Sequence, residues 1–122
     1  MSAAGTPFAT ILRAAVERVP GALGAVFADH EGETVDHYSL LEPFDTKLIG
    51  AHLGVLLDQA RKACEGAGVG AALAVVVRGE RGFVVRPVAD GYYVVMALAP
   101  YTPTALALRA LDVAAGSLRR EM

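Results

Sequence analysis

The sequence predicts an α+β domain in which helices pack on one antiparallel sheet, with elements in the order α-β-β-α-β-β-β-α. Three segments repeat apolar residues at helical spacing, and five shorter apolar runs lie between them. The connections GERG and ADG join the last three runs and are short enough for hairpins. With 122 residues, 54% of them hydrophobic, the chain has the size and composition of one domain with one core.

The first predicted helix begins at Thr6-Pro7, because threonine can cap the first turn and proline suits the first helical position. It ends at Pro20-Gly21. Residues 1–5 are predicted to be a flexible tail, so the domain covers residues 6–122. The apolar stripe of this helix consists of Phe8, Leu12, Ala15 and Val19.

The next two predicted elements are a strand from Ala22 to Ala28, buried on both faces, and a more polar strand from Thr34 to Leu40 near a sheet edge. Between them lies DHEGE, residues 29–33, whose glycine is free to adopt a positive φ. These acidic and histidine side chains lack the regular oxygen spacing of a calcium loop. We therefore interpret DHEGE as a hairpin turn.

The second predicted helix covers residues 45–68, with Asp45 or Thr46 as its cap. Its apolar residues occupy too much of the circumference for one sheet to cover. Gly50 and Gly54 lie four residues apart on one face, where they would let another helix approach closely. One apolar stripe consists of Ile49, Leu53, Leu56 and Ala60, and it is widened beyond a single core-facing stripe by Leu48, Ala51, Val55 and Leu57.

Three strands, at residues 71–78, 83–88 and 92–99, and a last helix complete the predicted order. Thr102-Pro103 repeats the cap-and-proline pattern at the start of this helix. Its core stripe is predicted to be Leu108, Leu111, Ala115, Leu118 and Met122.

The composition excludes several classes of function. A net charge of −2 argues against a binder of the nucleic-acid backbone. Pro100 and Pro103 interrupt the longest uncharged run, which argues against membrane insertion. The N-terminus lacks the features of a secretion signal, and Cys64 is the only cysteine, so we expect a cytoplasmic protein without a disulfide. Charged residues amount to only 20%, which suggests that a partner covers apolar surface.

No catalytic or cofactor motif emerges from the sequence. GAGVGA at residues 66–71 follows a helix and opens a strand, the reverse of a dinucleotide-binding context. His30, His37 and His52 have no metal-ligand spacing with one another or with Cys64, and His52 is expected among buried apolar residues. We predict no metal, no cofactor and no enzymatic activity.

Four stretches resemble the roadblock family, which includes dynein light chains and small-GTPase regulators. They are ILRAAVERVPGALGAVFADHEGETV, LIGAHLGVLLDQARKA, GYYVVMALAP and TPTALALRALDVAAGSL. The resemblance implies a five-stranded sheet with the second helix on one face and the first and third helices on the other. It also implies a homodimer formed through the second helix and the third strand. The residues so assigned to the interface are Leu48, Gly50, Ala51, His52, Gly54, Val55, Leu56, Ala72, Leu73, Ala74, Val75 and Val76.

In function, the resemblance implies a non-enzymatic regulator that binds a Ras-like small GTPase and can stimulate its GTP hydrolysis. If an arginine reaches the GTPase, the candidates are Arg61, Arg78, Arg81, Arg86 and Arg109. Two alternatives remain open: a dimeric scaffold with no GTPase partner, and a sensory domain that binds a small ligand. The polar candidates for such a ligand site are His52 and Tyr92 or Tyr93.

Overall fold

A computed structural model describes residues 6–40 and 43–122 of the chain, so the predicted tail at residues 1–5 lies outside it. The elements follow one another in the predicted order. The helices are α1 (Pro7–Glu17), α2 (Pro43–Gly66) and α3 (Thr104–Glu121). The strands are β1 (Ala22–Asp29), β2 (Thr34–Ser39), β3 (Val75–Arg78), β4 (Gly82–Ala89) and β5 (Tyr92–Leu98).

All five strands form one antiparallel sheet in the order β2-β1-β5-β4-β3. One row of paired residues crosses it from edge to edge: His37, Val26, Val95, Val85 and Val75. The predicted fold class is confirmed, and β2 is an edge strand as its polar residues indicated. The second edge is β3, whose four residues are three valines and Arg78.

The two faces of the sheet carry separate hydrophobic clusters. On one face α1 and α3 cover Phe27, Val94 and Met96. On the other face α2 covers Val26 and Val95. Because β1 and β5 lie in the middle of the sheet with helices on both sides, their sequences show no alternation of apolar and polar residues. The arrangement of one helix opposite two is therefore as expected.

The caps of the helices agree with the prediction only at α1. There the Thr6 hydroxyl accepts a hydrogen bond from the Ala9 amide at 3.0 Å. The α2 helix begins at Pro43, so Asp45 and Thr46 lie inside its first turn and neither is the cap. Thr102 does not cap α3 either, because its buried hydroxyl donates to the Ala99 carbonyl in the preceding turn.

The core stripes of α1 and α3 are confirmed except at the last residue. Leu12 and Val19 of the first stripe are buried, and so are Leu111, Ala115 and Leu118 of the last. Met122 follows the end of α3 and is 52% exposed, so it does not belong to the core. Among the residues described, no helix is long and apolar enough to cross a membrane.

The third strand is shorter than predicted. It begins at Val75, which pairs with Val85, and residues 71–74 run outside the ladder. Gly68 and Gly70 adopt positive φ after α2, and the chain reaches the sheet edge only after these turns. The Leu73 carbonyl accepts a hydrogen bond from the Arg86 guanidinium at 3.2 Å, and not from the backbone of a neighbouring strand.

The charged stretch DHEGE forms the predicted hairpin turn between β1 and β2. One carboxylate oxygen of Asp29 accepts hydrogen bonds from the backbone amides of Glu31 and Glu33, each at 3.0 Å. Gly32 has a φ of 83°, which favours glycine. The aspartate therefore satisfies the backbone of its own turn.

Candidate interaction surface

The sheet is covered unequally on its two faces. Two helices cover one face, whereas the other has only α2, which packs mainly on β1 and β2. On the α2 side, Val26 and Val95 near the middle of the sheet are fully buried. Toward the β3 edge, Val75, Val77 and Phe83 are only half-buried. The part of this face nearest β3 therefore lacks a cover within the described chain.

Two large apolar side chains of α2 are exposed, and one of them, Val55, lines a cavity with Gly54 and Tyr93 rather than the gap. Val55 is 59% exposed and Leu56 is 40% exposed. Leu57, predicted only to widen the apolar stripe that contains Leu56, packs on the sheet and is only 4% exposed. His52, expected among buried residues, is also exposed. A 24-residue helix on a flat sheet buries one stripe, and the next leucine along the chain lies about 100° away from it.

Helical geometry places Leu56 on the flank of α2 that borders the gap. Gly54, Asp58 and Arg61 border His30 and Gly91, at the end of the sheet where the β1–β2 and β4–β5 turns lie. Leu56 is about 200° around the helix from Gly54 and faces the other end of the sheet. That end carries the half-buried pair Val77 and Phe83 next to the β3–β4 turn.

The open edge of β3 continues the apolar surface. Leu73, just before the strand, is 72% exposed, whereas Val76 is 42% exposed on the opposite face, because it pairs with Val84 beneath α1 and α3. An unpaired edge strand with apolar side chains is a place where another chain can add by backbone pairing. We call the flank of α2 toward β3 and the adjoining edge the α2–β3 surface, defined by His52, Leu56, Leu73 and the open backbone edge of β3.

Gly50 and Gly54 serve a different purpose from the predicted one. A Cβ atom added to Gly50 would lie 2.9 Å from a methyl carbon of Val26. One added to Gly54 would lie 2.1 Å from the Tyr93 hydroxyl. Both glycines therefore let α2 approach its own sheet. They do not belong to the α2–β3 surface.

The other predicted interface residues are distributed around this surface. Ala51 faces the β1–β2 turn, because a Cβ added to Gly32 would lie 3.3 Å from the Ala51 methyl. Ala72, Ala74 and Val75 are half-buried in or next to β3. The side chain of Leu48 lies outside the described part of the structure.

The predicted arginines fall into two groups. Arg78 donates to the Thr102 carbonyl at 2.9 Å. Arg86 forms an ion pair with Asp112 at 2.7 Å and donates to the Leu73 carbonyl, while its buried Nε has no acceptor among the described residues. These two guanidinium groups hold the protein's own elements together. The other three, Arg61, Arg81 and Arg109, are exposed and have no side-chain bond to a described residue.

The polar groups considered for a ligand site do not converge. Tyr93 is buried, and its hydroxyl donates to the Gly50 carbonyl at 2.9 Å. Burial, and then the charge of Asp29, raises the pKa of this phenol above its usual 10.0, so it stays protonated at neutral pH. His52 does not line the cavity of about 210 Å³ that Tyr92 and Tyr93 share. No cluster of three His, Cys, Asp or Glu suited to a metal occurs among residues 6–40 and 43–122 that are described.

Comparison with solved structures identifies the family of folds to which the chain's architecture belongs. No protein-family model matches the chain, and a search of curated proteins gives no match. A solved Roadblock/LC7 domain from Streptomyces avermitilis matches with a TM-score of 0.84 at 20% identity, over 92% of this chain and 94% of that one. The chain has the Roadblock/LC7 fold. This confirms, for the fold, the resemblance of the four sequence stretches.

Two structures of the gliding protein MglB share the Roadblock/LC7 fold with this chain. The one from Thermus thermophilus has a TM-score of 0.83 at 17% identity, over 98% of this chain and 91% of that one. An MglB described with a tetrameric arrangement has a TM-score of 0.83 at 19% identity, over 95% of this chain and 90% of that one. At these identities the likeness concerns the fold.

Proposed function

We propose that the chain is a homodimeric regulator, without an active site of its own, that binds a Ras-like small GTPase and stimulates its GTP hydrolysis. The observation that carries the proposal is the unequal cover of the sheet. Val75, Val77 and Phe83 are half-buried toward the β3 edge, and Leu56 is exposed on the flank of α2 that faces the same end of the sheet. A second copy of the same surface would bury both sets together.

A two-fold arrangement suits this surface. In a two-fold interface each subunit presents the same patch to the other. Pairing β3 with the partner's β3 would join the two sheets and satisfy the open backbone edge. The partner's α2 would then lie over the uncovered part of the face, with Leu56 of each chain near the other helix. Full burial of one leucine contributes about 1.5–3 kcal/mol, so a few such contacts per subunit suffice for a stable dimer.

The GTPase part of the proposal rests on the resemblance to the roadblock family and on the fold shared with the gliding protein MglB. A regulator that remodels its partner's switch regions needs a rigid surface rather than a nucleophile or a general base. Arg61 and Arg81 are the arginines we assign to the GTPase contact, because no described residue holds their side chains. Arg109 is equally exposed but lies on α3, across the sheet from α2. Arg78 and Arg86 are set aside, since their bonds hold the fold.

The dimer is tested by comparing two leucines of nearly equal exposure. Leu56 on α2 is 40% exposed and Leu106 on α3 is 37% exposed. In sedimentation velocity we expect Leu56→Glu to give folded monomers and Leu106→Glu to leave the dimer intact. The α2–β3 surface is not the interface if Leu56→Glu sediments as the dimer with an unchanged circular dichroism spectrum. A wild-type monomer at high concentration would reject the dimer altogether.

The GTPase contact is tested by the nucleotide dependence of binding. The dimer is mixed with a Ras-like small GTPase loaded either with a GTP analogue or with GDP. We expect co-sedimentation with the GTP form only, followed by faster phosphate release in single-turnover assays. Equal binding to both nucleotide states without acceleration would favour the scaffold, because a passive adaptor does not discriminate between the switch conformations.

A further inference from the structure

A groove runs between α1 and α3 on the face of the sheet opposite to α2. Two adjoining cavities of about 170 and 150 Å³ form it, and they share Arg18, Ala110 and Val113. Ala14 of α1 and Leu106 of α3 extend the apolar lining. We call this feature the α1–α3 groove.

The groove exposes large apolar side chains between small ones. Val113 is 49% exposed and Leu106 is 37% exposed, whereas the alanines Ala14 and Ala110 lie beside them. Small residues let the axis of another helix approach to about 8–10 Å, and the valine and leucine would then pack against its side chains. The 11 residues of α1 give the groove a length of about 16 Å, enough for about three helical turns.

The rim of the groove is cationic. Arg18 lines both cavities and Arg109 lines the second. Arg120 donates to the hydroxyl of Ser117, which lines the first cavity. No carboxylate occurs among the described residues that line either cavity.

The acidic residues of the same two helices do not neutralise this rim. Glu17 forms its ion pair with Arg13 at 3.1 Å, and neither residue lines the groove. Asp112 is paired with Arg86 at 2.7 Å, and Glu121 at the end of α3 lines neither cavity. A cationic rim on a chain whose net charge is −2 favours an acidic partner.

We propose that the α1–α3 groove docks one amphipathic helix of a partner protein, with an apolar stripe flanked by acidic residues. The leucine-like stripe would pack on Val113 and Leu106, and the flanking carboxylates would meet Arg18 and Arg109. This contact is separate from the proposed dimer, because α1 and α3 lie across the sheet from α2. A dimer would thus present two such grooves in addition to its GTPase surface.

The probes are two synthetic 18-residue helical peptides with the same leucine stripe, one flanked by glutamates and the other by lysines. Binding is measured by fluorescence anisotropy, and amide shifts in NMR spectra locate it. We expect the glutamate peptide to shift α1 and α3 and to bind about tenfold or more tightly than the lysine peptide. Arg18→Glu combined with Arg109→Glu should reverse this preference.

A valine pair provides the matched control. Val113→Glu should weaken binding of the glutamate peptide about tenfold or more, since it puts a charge into an apolar contact. Val35→Glu, at a β2 valine that is 42% exposed, should leave binding unchanged. If Val113→Glu does not fold, Arg109→Ala replaces it, with an expected loss of about threefold to tenfold.

The proposed docking site is wrong if neither peptide binds, if both peptides bind equally, or if the NMR amide shifts lie on α2 instead of α1 and α3. The monomeric variant Leu56→Glu separates this proposal from the proposed function. If Leu56→Glu still binds the glutamate peptide, the groove stands even where the dimer or the GTPase contact fails. Loss of peptide binding in Leu56→Glu alone would move the docking site to the α2–β3 surface and refute the groove.

Discussion

Replacing Gly54 by alanine tests how closely α2 approaches its own sheet. The new methyl group would lie 2.1 Å from the Tyr93 hydroxyl oxygen and 2.4 Å from the ring carbon that bears it. Real contacts of this kind are never so short, so the ring or the helix must shift. Since Tyr93 is only 3% exposed and donates to the Gly50 carbonyl, neither movement is free.

The expected magnitude follows from three opposing contributions. Alanine is more favourable than glycine inside a helix by about 1 kcal/mol. Overpacking a buried contact costs about 1–3 kcal/mol. Loss of the Tyr93–Gly50 hydrogen bond costs about 1 kcal/mol more. We therefore expect Gly54→Ala to lower the free energy of unfolding by about 1–3 kcal/mol.

Urea unfolding followed by circular dichroism measures the change, at several protein concentrations so that any dimer contribution is visible. Gly66→Ala is the matched control, because it lies in the same helix and an added Cβ would meet nothing within 4 Å. It should leave stability unchanged or raise it slightly. In a Tyr93→Ala background, where the obstructing ring is absent, Gly54→Ala should become neutral or stabilising.

Two results would refute the reasoning. If Gly54→Ala raises the free energy of unfolding by the full amount expected for glycine to alanine in a helix, about 1 kcal/mol, α2 does not lie against Tyr93. If it instead abolishes association while the stability of the monomer stays unchanged, the glycine serves a second helix, as its spacing with Gly50 suggested.

Two further predictions concern other polar contacts. Thr6→Val should lower the free energy of unfolding by about 1–3 kcal/mol, as measured in urea titrations. It removes the cap of α1 and also the hydroxyl that donates a hydrogen bond to buried Asp36. Thr6→Ser keeps both hydrogen bonds and should retain most of the stability. The raised pKa of Tyr93 means that the folded state holds a proton that the unfolded chain releases above about pH 10, so stability should fall as the pH rises from about 10 through the folded pKa. Urea titrations from about pH 8 to 11 should show a smaller loss in Tyr93→Phe, and an equal loss in both proteins would contradict the assignment.

Much of the fold was predictable because local signals and tertiary packing agree in α1, β1 and α3. Leu12 and Val19 recur at helical spacing and are buried in the structure. The continuous apolar run of β1 correctly indicated cover on both faces. In such elements the pattern of apolar side chains fits only one type of secondary structure and one buried face, so the sequence alone predicts both.

The candidate surface was less predictable because α2 is apolar around much of its circumference. Periodicity could not decide whether Leu56 or Leu57 faces the sheet, since both fit an apolar stripe. It also could not tell which neighbour needs the space beside Gly54, since the relevant atom belongs to Tyr93, 39 positions later in the chain. The start of β3 depends on where residues 71–74 reach the edge, which glycine conformations determine.

The two proposed contacts follow from one property of the sheet, namely that its two faces are covered in different ways. Where two helices share a face, they cover the middle of the sheet and a seam stays open between α1 and α3. Where α2 lies alone, the sheet itself remains half-covered toward β3. A seam between helices suits a slender occupant such as one helix, whereas a half-covered sheet with an open edge suits a partner that brings both a strand and a helix. The same sequence can supply both elements of the second kind, and this is why we assign a second copy of the chain to the α2–β3 surface and a different protein to the groove.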